Sequence, residues 1–420
     1  MFNTLRNAWK VPDVRKKMLY TVMMLLVYRV GAHVPVPGVD AAYVASKVSG
    51  NVFGQYVDLF SGGGLTSFSL FALGIIPYIT GSIIMQLLTM AIPALERMQK
   101  EGPEGRKKIA SITRYVGVLL GLIQAIGVLI SFGPQAILNT GTPIILNYIT
   151  IIMCLTGGTA LIMWIGERIT ENGVGNGVSL LIFVSIISRL PNAIETYFEN
   201  VALGNGNYWS IAIIFVAAVA ILVGITFIDM GERRIPVQYA KRVIGRKIYG
   251  GQSTHIPMKI NQSGVLPLIF AVTLVQFPLM IMSFFPNSKA GYEAVMGSDK
   301  PLYLILYALL IFFFTFFYSQ VTFNPVDVSK NLQQNGGFIP GIRAGKPTSD
   351  YLQKILVRVT LFGAIFLALI ATVPTLLAAL SGFNSPFGAT SLLIMVSVAL
   401  ETTRQLESHL MMRHYKGFLK

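Results

Sequence analysis

The sequence predicts an all-α polytopic membrane protein with ten transmembrane helices. Hydrophobic residues make up 53% of the 420 residues, only 12% are charged, and the mean hydropathy is +0.63. Soluble domains carry roughly a quarter charged residues, so this little charge could not cover the apolar surface in water. Apolar runs long enough to cross a bilayer recur along the whole chain. The composition therefore excludes a soluble globular domain.

Ten apolar runs are candidate membrane spans. The basic N-terminal segment leads into the first run without a small-residue cleavage site, which favours an uncleaved span over a signal peptide. We expect Pro191 to end the fifth run and make it short. The ten predicted spans are 18–37, 74–92, 112–132, 146–166, 179–191, 209–229, 264–285, 302–322, 355–379 and 387–405.

The distribution of basic residues predicts the orientation of these spans. With a cytoplasmic N-terminus, the inner segments hold clusters such as Arg15–Lys17 and Arg106–Lys108, and the outer loops hold only Lys47, Lys289 and Lys300. Lys and Arg are enriched in cytoplasmic loops of membrane proteins. We therefore expect ten crossings with both termini in the cytoplasm.

The ten spans divide at the long outer loop 192–208 into an N-terminal half, 1–191, and a C-terminal half, 209–420. Five spans in each half would place the two halves in opposite orientations, which is the geometry of an inverted repeat. A functional site is expected where such halves meet.

Enzyme and cofactor signatures are not recognisable in the sequence. GGGLTS (62–67) lacks the P-loop lysine, ENGVGNGVS (171–179) lies in no βαβ unit, and the four histidines show no zinc spacing. Cys154 is expected to be a structural thiol. The predicted spans also carry few ionisable residues at mid-membrane, which argues against ion-coupled transport. We expect a neutral passage with no catalysis, cofactor or metal; a secondary transporter with inverted repeats is the alternative.

Uncharged polar residues lie within several spans. Thr80 and Gln86 are in the second span, Gln124 is in the third, and Thr273 and Gln276 are in the seventh. These residues are expected either to form ordinary interhelical hydrogen bonds, each worth under about 1 kcal/mol, or to line a seam whose weak contacts can part. Both interpretations stay open at this point.

Two loops on the predicted cytoplasmic side are longer than connectors need to be. Residues 230–264 alternate β-forming and basic residues around a Gly-Gly pair, which predicts a cationic hairpin. Residues 324–354 place Gly and Pro around Arg343. Basic loops on one face either only enforce the topology or form a docking surface for an acidic or RNA-rich partner.

The segment LFSGGGLTSFSLFALGIIPYIT (59–80) interrupts the apolar pattern with three glycines, several hydroxyl residues and a proline. Irregular backbone at membrane depth is tolerated only where it is buried in protein or lines a cavity. We therefore expect a weak, short half-helix that includes the three glycines, is loosely anchored, and lies inside the protein rather than against lipid.

Five blocks of the sequence resemble the SecY family of protein-conducting channels, and they extend from the second span to the tenth. The blocks are ALGIIPYITGSIIMQLL (72–88), ITENGVGNGVSLLIF (169–183), QYAKRVIGRKIYGGQSTHIPMKIN (238–261), GGFIPGIRAGKPT (336–348) and GATSLLIMV (388–396). The resemblance implies two five-helix halves in a clamshell around an hourglass pore. Unfolded secretory chains would cross this pore, and membrane segments would leave it sideways into lipid.

The resemblance also assigns roles to individual residues. It implies a pore ring at Ile75, Ile79, Ile182, Ile186, Ile269 and Ile394. It implies a plug at about 58–70, including Asp58, Ser61, Gly62, Gly63, Gly64, Thr66 and Ser67. It implies a lateral gate at Thr80, Gln86, Gln124, Thr273, Gln276 and Phe277. It implies a motor or ribosome docking surface at Arg233, Arg234, Lys241, Arg242, Arg246, Lys247, Arg343 and Lys346.

The partners implied by the resemblance are a SecA-type ATPase motor, the ribosome, SecE- and SecG-type small membrane subunits, signal peptides, nascent polypeptides and membrane lipid. The implied location is the bacterial plasma membrane. Because the chain has no ATPase motif of its own, the energy for transport would come from a motor, the ribosome or the membrane potential.

Overall fold

The computed structural model is predominantly helical. It describes residues 6, 8–49, 52–138, 143–202, 208–239, 242–244, 247–249, 253–262, 264, 266–282, 300–381 and 389–416. The helices are α1 (Pro12–Gly31), α2 (Ala41–Ser49), α3 (Val52–Ser61), α4 (Ile76–Ala91), α5 (Pro93–Lys100), α6 (Pro103–Phe132), α7 (Ile144–Asn172), α8 (Gly177–Ala202), α9 (Tyr208–Met230), α10 (Leu266–Met282), α11 (Pro301–Thr322), α12 (Pro325–Gln334), α13 (Lys346–Ser381) and α14 (Ala389–Lys416). The strands are β1 (Glu232–Tyr239), β2 (Arg242–Ile244), β3 (Lys247–Tyr249), β4 (Ser253–Lys259) and β5 (Gly337–Phe338).

Each of the ten predicted spans overlaps one of these helices. By length and composition, four described stretches are long and apolar enough to cross a membrane: Pro103–Phe132, Ile144–Asn172, Pro301–Gln334 and Lys346–Thr372. The bent pair α4 and α5, whose axes differ by 98°, makes a fifth if it counts as one span. The total of ten crossings stays a prediction.

Pro191 does not end the fifth predicted span, so that expectation was wrong. Helix α8 continues through Pro191 to Ala202. A proline inside a helix removes only its own N–H donor and presses on the carbonyl four residues earlier, so the hydrogen bonds of later residues can still form. The predicted hinge loop 192–208 is therefore helical as far as Ala202, and residues 203–207 lie outside the described residues.

Small residues bring α4 and α6 close together. A Cβ atom built on Gly81 would lie 3.1 Å from the Cα atom of Gly117, so any side chain at this crossing would force the helices apart. Close backbone approach through glycine is the usual device of helix packing in membranes. The contact helps to set the position of α4, the helix that follows the interrupted segment.

Strands of the two long loops form a three-stranded sheet in the order β4-β1-β5, and β2 and β3 pair as a separate two-stranded sheet. Strands β1 and β4 are an antiparallel hairpin in which Ile235 pairs with Ile256, which confirms the predicted hairpin. Strand β5 of the second loop adds to β1, with Gln238 opposite Phe338. The sequence did not indicate this pairing. Below the sheet, a separate apolar core joins side chains of β1 and β4 to α12 and α13; it contains Ile235, Val237, Met258, Leu332, Ile339, Leu352 and Leu356.

Candidate functional site

All six isoleucines of the predicted pore ring are buried in one apolar core. Each is at most 4% exposed, and three, Ile182, Ile186 and Ile394, are fully buried. They come from four separate segments: the start of α4, α8, α10 and α14. Ile182 and Ile186 are four residues apart and so lie on the same face of α8. The core therefore collects this set from both predicted halves, as a ring requires.

The short helix of the interrupted segment lies earlier than the sequence suggested. It is α3, which ends at Ser61, and Gly62 and Gly63 follow with φ of +68° and +94°. Glycine enters this left-handed region without a steric penalty, so the glycines end the helix rather than belong to it. The expectation that Gly62, Gly63 and Gly64 form part of the half-helix was wrong. Turns follow as far as Ile75, and α4 begins at Ile76.

A buried ion pair holds this segment. The Asp58 side chain is almost fully buried, and its carboxylate pairs with the Arg189 guanidinium of α8. The other carboxylate oxygen, Oδ1, accepts a hydrogen bond from the main-chain N–H of Thr66 at 2.7 Å. The Arg189 Nη2 atom also donates to Thr66 Oγ1 at 3.1 Å. Both ends of the turn at 58–66 are thus tied to one arginine.

Helix α1 makes a second attachment next to the first. The Arg29 Nη1 atom donates to the Gly62 carbonyl at 3.0 Å. The buried Tyr28 hydroxyl lies 3.3 Å from the Ser61 carbonyl oxygen and 2.6 Å from Ser185 Oγ on α8. We call Tyr28, Arg29, Asp58 and Arg189 the latch.

The latch contradicts the expectation that the segment is loosely anchored. Arg29 lies within the first predicted span and Arg189 within the fifth, and the local sequence does not connect either with Asp58. The available signal was the sign of the charges, since an acidic residue in a buried segment requires a cationic partner. These two arginines, both in the outer part of predicted spans, were the candidates.

The C-terminal end of the segment is fixed in a different way. The Val36 N–H donates to the Phe68 carbonyl at 3.0 Å, and the Leu70 N–H donates to the Val34 carbonyl at 2.8 Å. A Cβ on Gly158 would lie 1.8 Å from the Leu70 carbonyl oxygen, so α7 presses directly on this backbone. Residues 68–70 are therefore a packed base, whereas 58–66 combine the latch with burial of Phe60 and Leu65 in the apolar core.

The predicted gate residues belong to α4, α6 and α10, and both α4 and α6 contact α10. Thr80 and Thr273 donate to carbonyls of their own helices, Ile76 at 3.0 Å and Ile269 at 2.7 Å, so these hydroxyls do not bridge the helices. The side-chain amide oxygen of Gln86, Oε1, accepts a hydrogen bond from the Tyr318 hydroxyl of α11. Tyr318 had not been predicted.

The other predicted gate residues, as far as the structure describes them, make no side-chain hydrogen bond from one helix to another. Gln124 and Gln276 are buried, and Phe277 is half-buried. Among the described residues, the Gln276 Oε1 atom has no hydrogen-bond partner. A buried amide oxygen without a partner is a weak point in the packing, which is consistent with a seam that can part.

The described basic residues of the docking prediction lie on the strands and the turn of the two long loops. Arg233 and Arg234 are exposed on β1, Arg343 is exposed in the turn between β5 and α13, and Lys346 is exposed at the first residue of α13. The turn is held by hydrogen bonds from Thr348 Oγ1 to the Arg343 carbonyl and from Ser329 Oγ to the Gly345 carbonyl. Arg242 and Lys247 belong to the β2–β3 hairpin, and Lys241 and Arg246 lie outside the described residues.

A set of apolar helices that bury a shared aliphatic core beside an interrupted polar segment defines a multi-pass membrane protein of the channel class. The model of the SecY family matches residues 69–403. A protein translocase subunit SecY of Streptomyces galbus is 45% identical over 444 residues, and one of Halalkalibacterium halodurans is 42% identical over 434; each match covers the whole of both chains. The chain belongs to the SecY family.

Solved structures share the fold. One described as a protein-conducting channel superposes with a TM-score of 0.68 at 19% identity, covering 94% of this chain and 92% of that chain. Another, Sec61 in the canine ribosome-channel complex from the endoplasmic reticulum, has a TM-score of 0.62 at 16% identity, with the same coverage of 94% and 92%.

Proposed function

We propose that this chain is the pore-forming subunit of a channel that moves unfolded secretory polypeptides across the bacterial plasma membrane and releases transmembrane segments sideways into lipid. The observation that carries the proposal is the buried set of six isoleucines, with α3 of the latched segment contacting α8 and α10, two of the helices that supply them. A narrow aliphatic collar offers water and ions no hydrogen bonds, so it dewets and resists leakage. It also offers a passing peptide no polar binding site.

The proposed architecture has ten crossings, both termini in the cytoplasm, and inverted halves at 1–191 and 209–420. The hinge between the halves follows α8 on the outer side. The segment 58–70 is the plug, joined at its C-terminal end to the pore ring through Ile75. Clamshell opening about the hinge would part α4 and α6 from α10 and α11, the helices that contact each other at the proposed gate.

The proposed partners bind two surfaces of the channel, the basic sheet and the apolar helix surface that faces lipid. The basic sheet is the proposed docking site for a SecA-type motor or the ribosome, since both phosphate-rich RNA and acidic proteins are attracted to such a face. The likeness to a channel solved in a ribosome complex supports the ribosome as one of them. SecE- and SecG-type subunits would cover apolar helix surface at the lipid side, and signal peptides and nascent chains are the substrates.

Reconstitution tests the function. In proteoliposomes with a SecA-type motor and ATP, a signal-bearing precursor should become protected from added protease. A secondary transporter would instead give a saturable flux of a small solute and no protected precursor.

Asparagine in the pore ring should weaken the seal. We expect Ile79→Asn with Ile394→Asn to raise the resting ion conductance and to admit precursors with defective signals, because the amides supply water with hydrogen bonds inside the collar. Planar-bilayer conductance and secretion of a signal-defective precursor measure these effects. Ile149→Asn is the matched control, because Ile149 is 53% exposed on α7. Wild-type conductance and selectivity in the double variant would contradict the ring.

Locking the proposed gate should block transport. The Gln86–Tyr318 contact makes these positions suitable for a bifunctional thiol crosslinker after Gln86→Cys and Tyr318→Cys, in a Cys154→Ser background that removes the native thiol. Because the gate must part to admit a signal helix, the crosslinked channel should fail to insert membrane segments. The same variant without crosslinker is the control. Normal insertion by a fully crosslinked channel would place the gate elsewhere.

A further inference from the structure

A buried carboxylate lies where the base of the sheet meets the helix bundle. Asp229, in the last turn of α9, is buried, and its Oδ1 atom accepts a hydrogen bond from Asn261 Nδ2 at 2.7 Å. Asp229 therefore ties the segment that enters β1 to the segment that leaves β4. The N–H of Ile260 also donates to the Gly231 carbonyl at 3.0 Å, which closes the base of the hairpin.

Arg404 of α14 holds the same residue from the other side. Its Nη2 atom donates to the main-chain carbonyl of Asp229. Carbonyls in the last turn of a helix have no partner within that helix, and a basic side chain is a favourable cap for them. The arginine thus uses the open end of α9 to connect the sheet to α14.

The strands of the sheet are paired into one unit that begins at this joint. Strands β1 and β4 are paired from Glu232 and Lys259 to Gln238 and Ser253, and β5 is added at the end of β1. Their buried face packs on α12 and α13 in its own apolar core. A displacement of Arg233 and Arg234 by a bound partner would therefore move β1 as a whole, including its first residues next to Asp229.

Helix α14 leads from this joint to the collar and to the opposite half. Ile394, fully buried in the collar, precedes Arg404 by ten residues, which is about 15 Å along a helix. Two residues beyond Arg404, Leu406 packs with Val14 and Val174 in a small apolar cluster with Ala8. Residues 394–406 thus contact the end of α9 that leads into the sheet, the apolar core that holds the predicted pore ring, and the proposed N-terminal half.

We propose that Arg404 is a positioning residue that couples the docking of a partner on the sheet to the opening of the pore. This inference rests on the proposed function. Docking displaces the sheet and with it Asp229, and the Arg404 contact transmits the displacement to α14. The movement of α14 then shifts Ile394 within the collar and changes the packing of Leu406 against Val174. Without the contact, a partner would still bind the sheet, but binding would open the pore less often.

The test is a motor titration on the reconstituted full-length channel. We expect Arg404→Gln to leave the half-saturating concentration of a SecA-type motor within about twofold of wild type and to lower the maximal rate of precursor protection about fivefold. Arg404→Lys retains a charged donor and should recover part of the rate. Arg358→Gln, which replaces an exposed arginine on α13, should change neither quantity.

The outcomes separate the coupling from the proposed function. A maximal rate equal to wild type in Arg404→Gln overturns the coupling, and so does a rise in the half-saturating concentration, which would make Arg404 part of the docking surface. If Arg404→Gln does not accumulate in the membrane, the Arg404→Lys variant tests the coupling. Its half-saturating motor concentration and its maximal rate of precursor protection are then compared with those of wild type. If the wild-type channel protects no precursor, the proposed function itself fails, whatever the variants do.

Discussion

Replacement of Arg189 by Gln is expected to open the resting channel to ions. The substitution leaves the Asp58 carboxylate buried without its cation and also removes the donor to Thr66. Loss of one partner of a buried pair costs about 3–5 kcal/mol, and because the Arg189 side chain is 28% exposed we expect a smaller cost, about 2 kcal/mol. Each 1.4 kcal/mol changes the ratio of released to latched channels by about a factor of ten. Resting conductance should therefore rise at least about tenfold.

The same change should relax signal selectivity, because a plug that is already released no longer has to be displaced by a good signal sequence. Secretion of a precursor with a defective signal measures this effect. The packed base at 68–70 predicts that the displaced part is 58–66, so a crosslinkable residue at Thr66 should lose its proximity to α8 while one at Ser69 stays near Pro35.

Two variants make the latch prediction specific. The double variant Asp58→Asn with Arg189→Gln removes both charges and keeps hydrogen-bonding amides, so it should recover much of the closed state. Arg168→Gln, which breaks an exposed pair with Glu171, should have no effect on conductance. Resting conductance of Arg189→Gln at the wild-type level would show that the latch does not hold the plug.

Reversal of charge at Arg343 is expected to abolish most motor-driven transport. Arg343 is exposed in the turn after β5, the strand that pairs with β1, and Arg233 and Arg234 are exposed on β1, so Arg343→Glu places a negative charge on the predicted basic docking surface. Unfavourable charge contacts in an interface cost several kcal/mol, and we expect the affinity for the motor to fall at least about tenfold. Equilibrium binding of the motor to channel-bearing vesicles measures this directly.

The fold should survive this change. Arg343 contributes its main-chain carbonyl to the turn, and the carbonyl is present in every variant. Lys47→Glu, which makes the same change of charge on α2 at the predicted outer face, is the matched control and should leave motor binding unchanged. Full binding by Arg343→Glu, with Arg233 and Arg234 also reversed, would exclude the sheet as the docking surface.

Much of this molecule could be predicted from local signals in the sequence. The apolar runs coincide with helices because a bilayer-length segment leaves the backbone few alternatives to internal hydrogen bonding. The β1–β4 hairpin follows from the alternation of β-forming and basic residues, although the connection between the two strands is long enough to hold β2 and β3. The proline in α8 was misread, since a local rule for ending helices does not include the packing that keeps a helix continuous beyond Pro191.

The features that local signals in the sequence did not predict are contacts between residues far apart in the chain. The pairing of Gln238 with Phe338 spans a hundred residues and leaves no periodic signal in either segment. The contacts of Asp58 with Arg189 and of Gln86 with Tyr318 also depend on how the helices are arranged. Family resemblance supplied the candidate ring, plug and gate, but it did not reveal what holds the plug closed.

Protease protection of a precursor in reconstituted vesicles tests the central claim most directly. With this chain, its small membrane subunits, a SecA-type motor and ATP, the account predicts that a signal-bearing precursor becomes resistant to added protease and that the Gln86–Tyr318 crosslink prevents this. Protection that fails to develop in the uncrosslinked wild-type channel, while the vesicles take up a small solute with saturable kinetics, would contradict a protein-conducting channel.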